Sequence, residues 1–142
     1  MGIERKELEP VLTLAETLIE KQGLEYGYTP RTRRARGEVH PQDVDIPDER
    51  IRDLLGEGEF LQMVVTGSKI PEVVKIHLFA KPLGKGRQGI IFDYKQGFLT
   101  MCTYPINPPY EFPLPSCDSP FEVKPETIET FSKLLELAVR LA

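Results

Sequence analysis

His77 stands in the middle of an alternating stretch, "EVVKIHLFAK", at residues 72–81. Successive side chains of a strand point to opposite faces, so Lys75, His77, Phe79 and Lys81 share one face while Val74, Ile76, Leu78 and Ala80 share the other. Arg87 follows in "GKGR", and Thr100 and Tyr104 belong to a second alternating stretch, "GFLTMCTY". One imidazole among several cations is enough for metal-independent cleavage of RNA. That reaction needs a group to take the proton from a 2′-hydroxyl and positive charge to stabilise a pentavalent phosphate. On this reading His77 is the acid or base, and Lys75, Lys81 and Arg87 hold the phosphate. The same alternation also describes any half-buried strand whose polar side meets water, and then the set is ordinary surface.

A second group of candidates lies upstream. "RTRRAR" at residues 31–36 places Arg31, Arg33, Arg34 and Arg36 together in a chain whose net charge is −4. The total charge gives no reason to expect general affinity for nucleic acid or anionic lipid. Its distribution is a mosaic, with basic segments at 31–36 and 69–95 set in an acidic frame. The arginines suit a phosphate or an acidic partner, or they fold back on the acidic run 38–59. Tyr104 and Tyr110 bracket "PINPP" and complete the binding candidates. "GKGR" lacks the phosphate-loop pattern GxxxxGK followed by Ser or Thr, and it reads as a hairpin turn.

Metal and cofactor chemistry finds little support. Cys102 and Cys117 fit neither a CxxC pair nor a zinc knuckle, and His40 and His77 lie far apart in sequence. No cofactor or metal is expected. The expectation is a cytoplasmic protein with reduced thiols. The N-terminus lacks the apolar core of a secretory signal, and Lys6 stands where myristoylation wants Ser or Thr. No apolar run approaches the roughly 18 residues of a membrane span, so no membrane partner is expected. The single asparagine, Asn107, and abundant glutamate lean toward a heat-adapted composition.

The elements that must position these residues follow from periodicity. The chain of 142 residues, 40% hydrophobic, fits one domain over 1–142. Leu8, Val11, Leu12, Ala15, Leu18 and Ile19 form one stripe of a helix, which Pro10 starts near Glu9 and Gly23 ends. Residues 24–47 read as a long irregular, arginine-rich loop, followed by a short helix capped at Pro47 or Asp48. Strands are expected at 59–67, 72–80, 89–94 and 97–104, with short links that favour an antiparallel meander. Residues 105–123 read as a proline-rich strap. A closing helix starts with Pro125 and buries Ile128, Phe131, Leu135 and Ala138. The fold class is α+β: a four-stranded antiparallel meander with the N-terminal and C-terminal helices packed on one face and a short helix before the sheet.

Two resemblances accompany this layout. The helix-then-meander order over residues 5–104 is similar to that of small RNases of the barnase and RelE-toxin group. This implies an endoribonuclease acting on RNA phosphodiesters through His77 and its basic neighbours. "YPINPP" at 104–109 resembles the YPxxPP signature that follows the central meander in ubiquitin-conjugating and related domains. No HPN element follows it, and Cys117 lies too close behind it to be a conjugating cysteine. That resemblance therefore implies a catalytically inactive, partner-binding relative. The leading expectation is a non-catalytic binding module with a protein partner, reached through the sheet face, the arginine segment or the strap. RNA is the alternative partner, and a homodimer through the sheet face is compatible with the leading expectation.

Overall fold

The computed structural model describes residues 4–22, 33–55, 60–69, 72–81, 87–106 and 119–142. In chain order these form α1 (Arg5–Gln22), β1 (Arg33–Val39), a 3-10 turn (Pro41–Asp43) and α2 (Glu49–Leu55). Then come β2 (Phe60–Lys69), β3 (Glu72–Lys81), β4 (Arg87–Lys95), β5 (Phe98–Ile106), β6 (Ser119–Pro120) and α3 (Pro125–Leu141). The strands make one antiparallel sheet in sequence order, β1 to β6. The α+β class, the antiparallel meander and the terminal helices are as the sequence implies. The sheet has six strands rather than four.

The core is one layer of helices on one face of the sheet. Both apolar stripes are buried as spaced: all six expected residues of α1, and Ile128, Phe131, Leu135 and Ala138 of α3. They meet the alternate residues Leu61, Met63 and Val65 of β2, Val74, Ile76, Leu78 and Ala80 of β3, and Ile90, Phe92 and Tyr94 of β4. Phe92 and Phe131 stack at a tilt, with ring centroids 5.4 Å apart. Gln96 and Gly97, both at positive φ, make the two-residue turn from β4 to β5.

Three boundaries differ from the sequence reading. α1 begins at Arg5, so Pro10 lies inside the helix rather than in its first turn. Leu8 is buried and carries the stripe upstream, while Arg5 pairs with Glu9 and, at 3.0 Å, with Glu72 of β3. These contacts hold a turn that lacks one amide donor. Residues 33–39, expected within the irregular loop, form β1. The alternation is present, but its inward residues are Ala35, Gly37 and Val39. They are small enough for the intervening Arg34, Arg36 and Glu38 to dominate the composition. Within the expected strap, Pro105 and Ile106 belong to β5, and Ser119 and Pro120 pair with Thr103 and Cys102 as an edge strand, where proline is tolerated. Residues 107–118 of the strap and residues 24–32 of the loop lie outside the described residues.

The start of α2 is tied to the start of α3 by a buried carboxylate. Asp48 is 1% exposed and caps α2, accepting from the Arg50 N–H at 2.9 Å. Thr127 Oγ1 donates to Asp48 Oδ2 at 2.7 Å, and Arg50 Nη2 donates to the same oxygen at 2.8 Å. The Asp48 N–H donates to Thr130 Oγ1, and the Arg50 guanidinium lies 4.4 Å from the centroid of Phe121. Burial works against the charged carboxyl. The hydrogen bonds from Arg50 and Thr127 and the charge of Arg50 outweigh it and hold Asp48 below the ordinary aspartate range. Asp48→Ala removes a cap and leaves Thr127 without its acceptor, an expected loss of about 2 kcal/mol at neutral pH. Because the folded value is depressed, this contribution is present above the ordinary aspartate range and fades as pH falls through the folded value. Urea titrations of both proteins should therefore converge in acid.

Candidate functional site

The pleat decides which candidates share a surface. Cross-strand partners lie on one face, and the register pairs His77 with Val64 and Ile91, Ile91 with Cys102, and Gly89 with Tyr104. Thr100, Cys102 and Tyr104 therefore lie on the face of His77, opposite the helices. Lys75 sits between Thr66 and Asp93 on the same face. Lys81 is at the far end of β3, opposite Phe60, with Nζ 5.8 Å from the Phe79 ring centroid. Arg87 opens β4 opposite Ile106, and its side chain lies outside the described residues.

The centre of this face is closed rather than open to water. Ile91, Cys102, Tyr104 and Ile106 are buried as a second, smaller apolar cluster, with Phe79 packed against it. Gln62, Val64 and His77 are buried beside it, His77 at 9% exposure. Tyr104 lies flat over Gly89, where an added Cβ would stand 2.6 Å from the ring. Its ring meets His77 edge-on at 5.8 Å between centroids, and its hydroxyl is 3.4 Å from His77 Nδ1. Burial pushes the Tyr104 phenol up to about 12. Burial also pushes His77 down from 6.5 to about 4, with help from the Lys75 charge. His77 is thus a neutral imidazole at physiological pH, held among a phenol, apolar side chains and one lysine. Cys102 is disulfide-bonded, which corrects the expectation of reduced thiols. Sequence spacing carries no signal for this. Cys117, the other cysteine in the chain, lies outside the described residues.

The arginine run is separated by the same pleat. Arg33 falls on the helix side with Ala35, Gly37 and Val39, and Arg34 and Arg36 fall on the other. Arg33 lines one end of a groove of about 740 Å³ between α1 and the ends of β2 and β3. Arg5–Glu72 at 3.0 Å and Lys69–Glu16 at 2.9 Å bridge that groove. Both pairs are largely exposed and stabilise little. Arg36 is exposed, and its main chain is engaged by a residue that the sequence reading overlooked. Gln22, the last residue of α1, accepts the Arg36 N–H with Oε1 at 2.9 Å and donates Nε2–H to the Arg36 carbonyl. A polar residue at the end of a helix gives no sequence signal for such a role. Arg31 and Tyr110 lie outside the described residues.

Among the described residues, no group of three or more His, Cys, Asp or Glu side chains could hold a metal ion. No helix among them is long and apolar enough to cross a membrane. No family model matches the sequence, and no match is found among curated proteins or solved structures.

The His77 environment makes a prediction of its own. A base whose folded value is depressed binds its proton more readily in the unfolded chain, so stability should fall as pH drops from 6.5 toward 4. NMR titration of the imidazole should give a midpoint near 4, and His77→Asn should flatten the stability profile across that window. A midpoint near 6.5 would place His77 in water.

Proposed function

We propose that this chain is a small non-catalytic binding module with a protein partner, and that the arginine-bearing strand β1 meets that partner. The observation that carries the reading is the conformation of the run. Arg34 and Arg36 are fixed by the pleat on one side of an edge strand, with Arg36 exposed. An ordered array loses less freedom on binding than the same arginines on a loose loop would. Guanidinium groups in an otherwise acidic chain select carboxylates by both charge and geometry. The surroundings of His77 support the non-catalytic half of the reading. A neutral, buried imidazole set against Tyr104 is poorly matched to proton transfer near neutral pH. The apolar side chains at the centre of that face, Ile91, Cys102, Tyr104 and Ile106, are buried within the single chain, while Phe98 at its end is exposed. Cytoplasmic placement is retained together with the disulfide. Intracellular proteins of hyperthermophiles combine the two, in keeping with the single asparagine.

Two measurements on purified protein test the proposal. Partner proteins captured by the wild type should also be captured by His77→Ala and be lost with the charge reversal Arg34→Glu/Arg36→Glu. RNA incubated with the wild type in EDTA should stay intact. EDTA-resistant cleavage that disappears in His77→Ala would overturn the proposal in favour of the endoribonuclease alternative.

A further inference from the structure

The groove between α1 and the ends of β2 and β3 has the dimensions of a small-molecule site, at about 740 Å³. Leu12 and Ile19 of α1 and Val73 and Val74 of β3 give it an apolar lining. Its charges are unevenly matched. Arg5 meets Glu9 and Glu72, and Lys69 meets Glu16 at 2.9 Å and Glu20 at 4.0 Å. These pairs account for every carboxylate of the lining and for two of its three cations. The third cation is Arg33. Among the described residues its side chain has no hydrogen bond and no ion pair, and its Nε is shut off from water without an acceptor. A buried donor left in this state is uncommon in a folded protein and destabilising. Arg33 also acts on Lys69 as a like charge. An anion beside Arg33 offsets both penalties.

We propose that the groove binds a small monocarboxylate with an apolar body, its carboxylate on the Arg33 guanidinium and its hydrocarbon against Leu12, Ile19, Val73 and Val74. A guanidinium holds a carboxylate through two parallel N–H groups, and the Nε edge supplies one such pair. Because Nε is covered in the free protein, binding requires a turn about the outer torsions of the side chain that swings this edge into the groove. A single charge is favoured. Four carboxylates against three cations leave the lining one negative charge in excess, which works against phosphate and other multiply charged anions. This site lies on the helix side of β1. It is independent of the protein-partner reading, which uses Arg34 and Arg36 on the other face.

The test uses the full chain, labelled with ¹⁵N and with ¹³C in its methyl groups, and three probes: octanoate, octanol and inorganic phosphate. Octanoate should shift the methyls of Leu12, Ile19, Val73 and Val74 and the Nε–H signal of Arg33. Octanol has the same length without the charge and should bind about tenfold more weakly, the loss expected for one charge-assisted pair. Phosphate at the same concentration should leave these signals in place. Arg33→Gln should bind octanoate and octanol equally, and its retained octanol shifts would show that the groove is folded. Arg33→Lys keeps the charge without the fork and should fall between Arg33→Gln and the wild type in its preference for octanoate. Equal binding of octanoate and octanol by the wild type, or a preference that survives Arg33→Gln, overturns the proposal. So do shifts confined to residues outside the groove, or phosphate shifts that match those of octanoate. Each of these failures leaves the protein-partner reading standing.

Discussion

A Cβ added at Gly37 would stand 2.7 Å from the Cβ of Ala138 and within contact of Met63 and Leu18. No side chain fits there unless something shifts. Glycine in a strand costs conformational entropy, but here it lets β1 lie directly beneath α1 and α3, where the two helices meet over the sheet. Much else depends on this contact. It fixes which residues of β1 face inward, and hence which arginines face outward. It brings the end of α1 close enough for Gln22 to reach the Arg36 main chain. It also closes the helix layer at the sheet edge, where Lys21 Nζ donates to the Val139 carbonyl of α3 at 3.1 Å.

How much of this is legible in the sequence depends on how strongly each element signals its period. α1 and α3 have apolar stripes at helical spacing, and every residue assigned to them is buried. β2 to β5 have β-branched and aromatic alternation and short links, and they form the expected meander. β1 has the same period written in Ala, Gly and Val between charged residues. A hydrophobicity-based reading sees arginines and glycine and assigns a loop. β6 is two residues long, below any periodic signal. Pro10 marks a helix start by its own chemistry, but packing of Leu8 and the Arg5–Glu72 pair carry the helix a turn further upstream.

The candidate site was legible in part. The joint placement of Lys75, His77 and Lys81 on one face follows from alternation alone. What alternation could not supply was the register, which sets Tyr104 beside His77 and Asp93 beside Lys75. A hint was available. Ile91 on one strand and Cys102, Tyr104 and Ile106 on the next are too apolar for a wholly solvated face, and they form the second cluster that buries His77. The arginine candidates were legible as charge but not as geometry. The pleat sends Arg33 to the groove beside α1 and leaves Arg34 and Arg36 on the other face, so the run acts as two surfaces. The two histidine-centred and arginine-centred readings therefore part on environment: His77 is neutral and enclosed, while Arg36 is charged and exposed.

The arrangement of the arginines depends on residues 33–39 being an ordered strand, β1, bonded to β2 on one side and met by Gln22 at Arg36 on the other. Amide hydrogen exchange, read residue by residue in native conditions, tests this most directly. The Ala35 and Gly37 amides, directed at β2, should exchange slowly, as core strands do. The Glu38 amide, directed outward, should exchange fast, and the Arg36 amide should fall between them and speed up in Gln22→Ala. Uniformly fast exchange across residues 33–39 would mean that the arginine run is a loop in solution. The strand, its register with β2 and the Gln22 contact would then all be absent in solution.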